Sequence, residues 1–182
     1  EQDTLTAGID GKFNSMNSNL EAFNGFPEYA AQGTMSNGGY YIQNNLNWLD
    51  RFTTNASGRL DNNSIFGNHI TWRVNQVVDI SELNNRIKAN VGTAFRAPSL
   101  CELNPFCGGN PNLSPETSLD WDAGLEQDFA EARIKLGALY FHNNFYNLIQ
   151  YNPNAPNPYF PQYAGNIMNV QNATSEGIET FF

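Results

Sequence analysis

Few residues in this chain are of types that do chemistry, and their spacing decides what that chemistry is. Cys101 and Cys107 stand six apart with no third cysteine and no histidine nearby. A zinc site wants about four ligands. A disulfide closing a small surface loop needs only these two, and it places the chain in an oxidising compartment such as the periplasm or cell surface. Asp120, Asp122 and Glu126 repeat at even intervals, which in a strand puts them on one face. Paired carboxylates suit general acid–base work, but no nucleophile or metal cage lies near them in sequence. Cross-strand pairing with Arg86, Lys88, Arg133 and Lys135 is the expected role. His69 and His142 stand alone, as polar surface histidines near strand ends or as isolated ligands. No catalytic residue, cofactor or metal site is read from the sequence.

The elements that carry these residues read as strands. Leu119, Trp121, Ala123 and Leu125 alternate with Asp120, Asp122 and Glu126, the period of a strand with one apolar face. Upstream, Ile87, Ala89 and Val91 alternate with Arg86, Lys88 and Asn90; downstream, Ile134, Leu136, Ala138 and Tyr140 form the next apolar face. Similar runs lie at 4–13, 40–48, 53–61 and 70–78, with a weaker one over 167–180. Eight strands result. Longer connections start at Asn14, Asn62, Arg96 and Asn152, and tight ones lie near Asp50, Ser81 and Ala130. Strands of ~9–11 residues with short turns at one end and long loops at the other describe an outer-membrane barrel. The same periodicity also fits a two-layer sandwich. Trp48, Trp72, Trp121, Leu125, Leu136 and Tyr140 fall on the apolar stripe; they face lipid in a barrel and form the core in a sandwich.

Composition narrows the partners. The 182 residues carry a formal net charge of −9, which argues against nucleic acid, whose binding needs clustered cations. Apolar residues make up 40% and asparagine is the commonest type. No run approaches the ~18 apolar residues of a membrane helix, and a β-barrel needs none, because it hides its apolar surface in alternate positions. The first residues show no basic and apolar leader, and the chain begins and ends inside strand-like patterns, so the expectation is a piece of a longer protein. The sequons at Asn55, Asn62 and Asn172 carry no meaning in a bacterial outer membrane.

GTAFRAPS (92–99), GNPNLSPE (109–116) and the acidic strand ending in GLE (124–126) together resemble the signature of TonB-dependent outer-membrane receptors. NLIQY (147–151), Asn169-Val170, Ala173 and Gly177-Ile178-Glu179 continue the resemblance in the second half, and ASGRLD (56–61) extends it more thinly into the first. The family's barrel has about 22 strands around an N-terminal plug. The resemblance implies an all-β, antiparallel transmembrane barrel segment of about eight strands spanning 1–182, with the plug domain absent. It implies an importer of a scarce nutrient in the outer membrane of a Gram-negative bacterium, and not an enzyme. The expected partners are outer-membrane lipid, an iron-siderophore, cobalamin or haem as ligand, and the TonB complex through the plug. The alternatives are another outer-membrane barrel (adhesin or enzyme) and a soluble carbohydrate-binding sandwich.

The resemblance also points to the external loops as the ligand contacts. These carry Arg96, Asn104, Phe106, Asn110 and Asn112, with Tyr159 and Tyr163 in the following loop. In haem receptors of the family the two boxes bracket an iron-ligating histidine. Residues 99–109 contain none, so that role does not carry over. Pro98, Pro111 and the glycines then shape the loop, and its asparagines cap turns.

Overall fold

The computed structural model describes residues 2–20, 29–129, 134–157 and 164–182. They form one antiparallel sheet in sequence order: β1 (Gln2–Leu20), β2 (Tyr29–Trp48), β3 (Phe52–Asn63), β4 (Gly67–Ile80), β5 (Asn85–Arg96), β6 (Glu116–Phe129), β7 (Ile134–Pro156) and β8 (Ala164–Phe181). One helical turn, α1 (Leu100–Leu103), sits in the β5–β6 loop. No helix is long and apolar enough to cross a membrane, which says nothing of strands.

The register gathers most of the apolar side chains on one face. Val74, Val91, Trp121 and His142 lie on one cross-strand row, and Gln76, Ala89, Ala123 and Tyr140 on another. A one-residue slip would move every apolar side chain to the opposite face, so the shared apolar row holds the pairing in place. Among the described residues nothing covers that face. Trp72, Trp121, Leu125, Leu136 and Tyr140 are 42, 41, 55, 45 and 36% exposed. Trp48 is half-buried and stacks on Phe52, ring centroids 4.4 Å apart. The buried apolar side chains among the described residues are Ala31, Met35 and Leu113, with Pro98, all at the end that carries the long loop. A sandwich would bury Trp121 against a second sheet. The described residues form only one, and the sandwich is set aside.

Three sequence expectations need correction. The strands run 12 to 23 residues, not 9–11. Residues 14–39 are not a long polar loop: β1 and β2 continue as a ladder to the Leu20–Tyr29 pair. Likewise β7 continues to Pro156 and β8 starts at Ala164. In the β1–β2 extension the outer face carries Ser15, Asn17, Thr34 and Ser36 in place of an apolar stripe, while Ala31 and Met35 are buried on the opposite face beneath the loop, so the alternation that marks the other strands is lost. The third correction is the β3–β4 connection, read as a long loop from Asn62. It is a turn over 64–66, as tight as the connections at the opposite end. Asn63 Oδ1 accepts from the backbone N–H of Ile65 and Phe66 at 2.9 and 3.0 Å, an Asx turn that closes the hairpin at once. At the far end Leu49 and Asp50 both take positive φ, 53° and 52°, the twist that a tight hairpin turn requires.

Candidate functional site

The polar face at the loop end is where charged groups converge. Arg59 on β3 and Asp10 on β1 are separated by the whole of β2. Gly39 is the β2 residue between them, paired with both Asp10 and Asp61. A Cβ on Gly39 would fall inside the Arg59 guanidinium, so the missing side chain is the gap through which Arg59 crosses. It donates to Asp10 at 2.6 and 3.0 Å and to Asp61 at 2.9 Å through both Nε and Nη2. Asn37 adds a 2.8 Å bond to Asp61, which is buried. In the sequence Arg59 and Asp61 stand out only as part of the motif at 56–61, and nothing local ties Asp10 to them.

A second arginine organises the β5–β6 loop. Arg96 ends β5 and faces Glu116, the first residue of β6, in direct register and hydrogen-bonded contact. Its two terminal nitrogens grip both oxygens of Glu102 at 3.0 and 3.1 Å. Glu102 also completes a capping box with Ser99 at the start of α1. Burial is the largest single influence on the Glu102 carboxyl and pushes its pKa up. The bonds from Arg96 and Ser99 together outweigh it and hold the group below the ordinary value. Cys101 and Cys107 are joined by a disulfide with Cα atoms 5.4 Å apart, closing the helical turn and the 3₁₀ turn into one unit. Asn104 Oδ1 caps that second turn by accepting from Phe106 N–H at 2.9 Å.

Asn110 is equally committed. It accepts from Asn112 N–H and donates across to the Ile167 carbonyl of β8, both at 3.0 Å. The side chains of Arg96, Asn104 and Asn110 are therefore used in building the loop. Phe106 and Asn112 are exposed on it, and Tyr159 and Tyr163 lie outside the described residues. Beneath the loop, bordered by β1 to β5, lies a cavity of about 850 Å³. Leu100 of α1 reaches across it to β2, 3.2 Å from where a side chain on Gly33 would begin.

The acidic triplet on β6 divides three ways. Glu126 is buried and held by Arg86 and Lys135 at 2.8 Å and by Lys88. Asp122 accepts from Asn90 and Asp120 from Ser118, each at 2.8 Å. So only Glu126 pairs with cations as expected, and Arg133 lies outside the described residues. His69 stacks on Phe95 at 3.8 Å. His142 lies on the apolar face beside Trp121, bonded to Glu176 at 2.9 Å.

The exposed apolar face, the polar face opposite and the loop at one end fit one family. Its description, TonB dependent receptor-like, beta-barrel, matches residues 2–181. The chain belongs to the TonB-dependent receptors. The vitamin B12 transporter BtuB of Vibrio vulnificus is 35% identical over 127 residues, covering 70% of this chain and 19% of that protein. The siderophore receptor PirA from Pseudomonas aeruginosa superposes with a TM-score of 0.78 at 22% identity, over 98% of this chain and 32% of that one. The ferric enterobactin receptor PfeA of the same organism, solved as a mutant with enterobactin, gives 0.80 at 21%, over 98% and 30%. At those identities the structural likeness is one of fold. The chain spans about a fifth of the length of the transporter it matches and about a third of each solved receptor. In a TonB-dependent receptor barrel the polar face lines the lumen and the apolar stripe lies outside.

Proposed function

We propose that these strands are part of the wall of an outer-membrane receptor that binds and imports a scarce nutrient, an iron-siderophore, cobalamin or haem. The observation that carries the reading is the pairing of opposite faces. An apolar stripe of Trp72, Trp121, Leu125 and Tyr140 stands uncovered, while the opposite face holds hydrogen-bonded carboxylates, amides and guanidinia. Outer-membrane lipid covers the stripe, and a hydrated import channel runs along the other side. Phe106 and Asn112, with Tyr159 and Tyr163, meet the ligand; Arg96, Asn104 and Asn110 hold the loop that presents it. The carboxylates of β6 support the wall and catalyse nothing. Energy for import reaches the receptor from the TonB complex through a plug.

The test is growth. Cells lacking the receptor gene are grown with iron or with cobalamin limiting, and are then complemented with the intact gene. Loss of growth on one nutrient, restored by complementation, supports the reading. Normal uptake of iron-siderophore, haem and cobalamin alike in the deleted strain would end it.

A further inference from the structure

The cavity beneath the β5–β6 loop has a charge balance that selects among ligands. Three cations border it: Lys12, Arg59 and Arg96. Arg59 is engaged by Asp10 and Asp61, and Arg96 by Glu102 and Glu116. Four carboxylates thus face three cations. A guanidinium has five N–H donors, and Arg59 already uses four of them on its two aspartates. Anion capture there would require displacing a carboxylate. Lys12 has no carboxylate partner among the described residues and is the one bordering cation left to a ligand. Arg73 opens onto the adjoining, smaller pocket, too few charges in all to neutralise a polyanion. Apart from Lys12, Arg59, Arg96 and Asp61 the cavity lining is uncharged, and includes amides and hydroxyls such as Asn14, Ser15 and Thr71 and apolar side chains such as Met16, Phe95 and Leu100.

Resting on the receptor reading above, we infer that this face of the channel takes a ligand without net charge, rich in amide and hydroxyl groups and with an extended apolar surface. That is the chemistry of a cobalamin, and it excludes a compact polyanionic iron chelate. Like charges set against each other across a binding surface cost affinity and slow encounter. Neutral amides matched by neutral amides and hydroxyls pay no such penalty.

The experiment titrates the intact, purified receptor with two probes, cyanocobalamin and a ferric tris-catecholate carrying three negative charges. Each titration is run at about 0.05 M and about 0.5 M salt, since only charge–charge attraction is screened over that range. The expected result is cyanocobalamin binding whose Kd changes by less than about twofold with salt, and tris-catecholate binding weaker by about a hundredfold or more. The double substitution D10N/D61N releases Arg59 and should raise affinity for the anionic probe by roughly tenfold. Tight, salt-sensitive binding of the tris-catecholate to the unaltered receptor overturns the inference and leaves the receptor function standing. Binding of neither probe also overturns it. Whether the proposed function falls as well is read separately, from the growth test, which does not depend on ligand charge.

Discussion

Asn110 and Ile167, 57 residues apart in the chain, meet through a 3.0 Å hydrogen bond from the side-chain amide to the backbone carbonyl. Asn169 on the same strand returns the arrangement. It accepts from Ser114 N–H at 2.8 Å and donates to the Ser114 carbonyl at 3.0 Å. The β5–β6 loop is therefore sewn to β8, although β6 and β8 are separated by β7. A loop tied at both its stem and its crown is a rigid surface, and rigid surfaces lose less entropy when a ligand binds.

Replacing Asn110 with alanine removes the bond to Ile167 and the one accepted from Asn112. Each is part-buried or near a backbone turn, so the expected loss of local stability is about 1–3 kcal/mol. Hydrogen exchange on the intact receptor should show faster exchange at 112–114 and 167–169 while the β3–β4 hairpin is unchanged. Equal protection in both forms would contradict the tie.

Ala123 and Gly124 are neighbours on opposite faces of β6. Ala123 lies exposed on the apolar face between Ala89 and Tyr140, and Ala123→Arg should cost about 2–4 kcal/mol in a bilayer. Gly124 faces the lumen, but a Cβ there would lie 2.5 Å from the Ala138 carbonyl oxygen. That contact is with backbone, which cannot swing aside, so Gly124→Ala should also destabilise, by separating β6 from β7. Denaturation of the two variants in lipid vesicles measures both. A Gly124→Ala receptor as stable as the parent would show the strands less rigidly paired than described.

The Arg96–Glu102 grip gives the loop an acid sensitivity of defined sign. Glu102 has a pKa lowered from 4.5 in the folded loop, so its contribution to stability is present above 4.5. It is lost as pH falls from there through the depressed folded value. Protection within 99–110, measured against the unstructured exchange rate at the same pH, should therefore fall on acidification below 4.5, and the fall should be smaller in Glu102→Gln, where only Glu116 still has a proton to gain at Arg96. A loop equally protected from neutral pH to strong acid would refute this.

The sequence disclosed faces better than lengths. Leu119, Trp121 and Leu125 alternate with carboxylates, and one buried or lipid-covered face must produce that pattern, so β6 could be read directly. Met16, Asn17 and Ser18 carry no such contrast because no apolar stripe continues on the outer face of the extended β1–β2 ladder, where Ala31 and Met35 are buried on the other side beneath the loop, so only 4–13 and 40–48 of these strands were legible. The disulfide was legible because two cysteines six apart had no competing partner. Asp10–Arg59 was not, since nothing local announces a bond that passes over Gly39 from one strand to the next but one. The commitments of Arg96 and Asn110 to the loop itself were hidden for the same reason: their partners, Glu102, Glu116 and Ile167, are chosen by tertiary placement.

Expressed alone, these 182 residues have nothing to pair with at either side of the sheet. β1 pairs only with β2 and β8 only with β7, so both outer edges present unpaired backbone N–H and C=O groups. In a bilayer such groups lack any partner and cost several kcal/mol each; in water they template edge-to-edge association. The apolar stripe adds to the problem. Ile9, Ile70 and Ile178 are 78, 76 and 72% exposed, and the few buried apolar side chains cluster at the loop end instead of forming a core. Burial of apolar area is the main force that offsets chain entropy, and here it is withheld until lipid and further strands arrive. The isolated chain should therefore aggregate in buffer and show no cooperative melt. In vesicles it should become ordered only with its edges paired to more of a barrel or to other copies. Sedimentation and thermal melting decide the matter: a monomer in aqueous buffer with a single sharp transition would mean that the exposed face is covered in some way the open sheet does not provide.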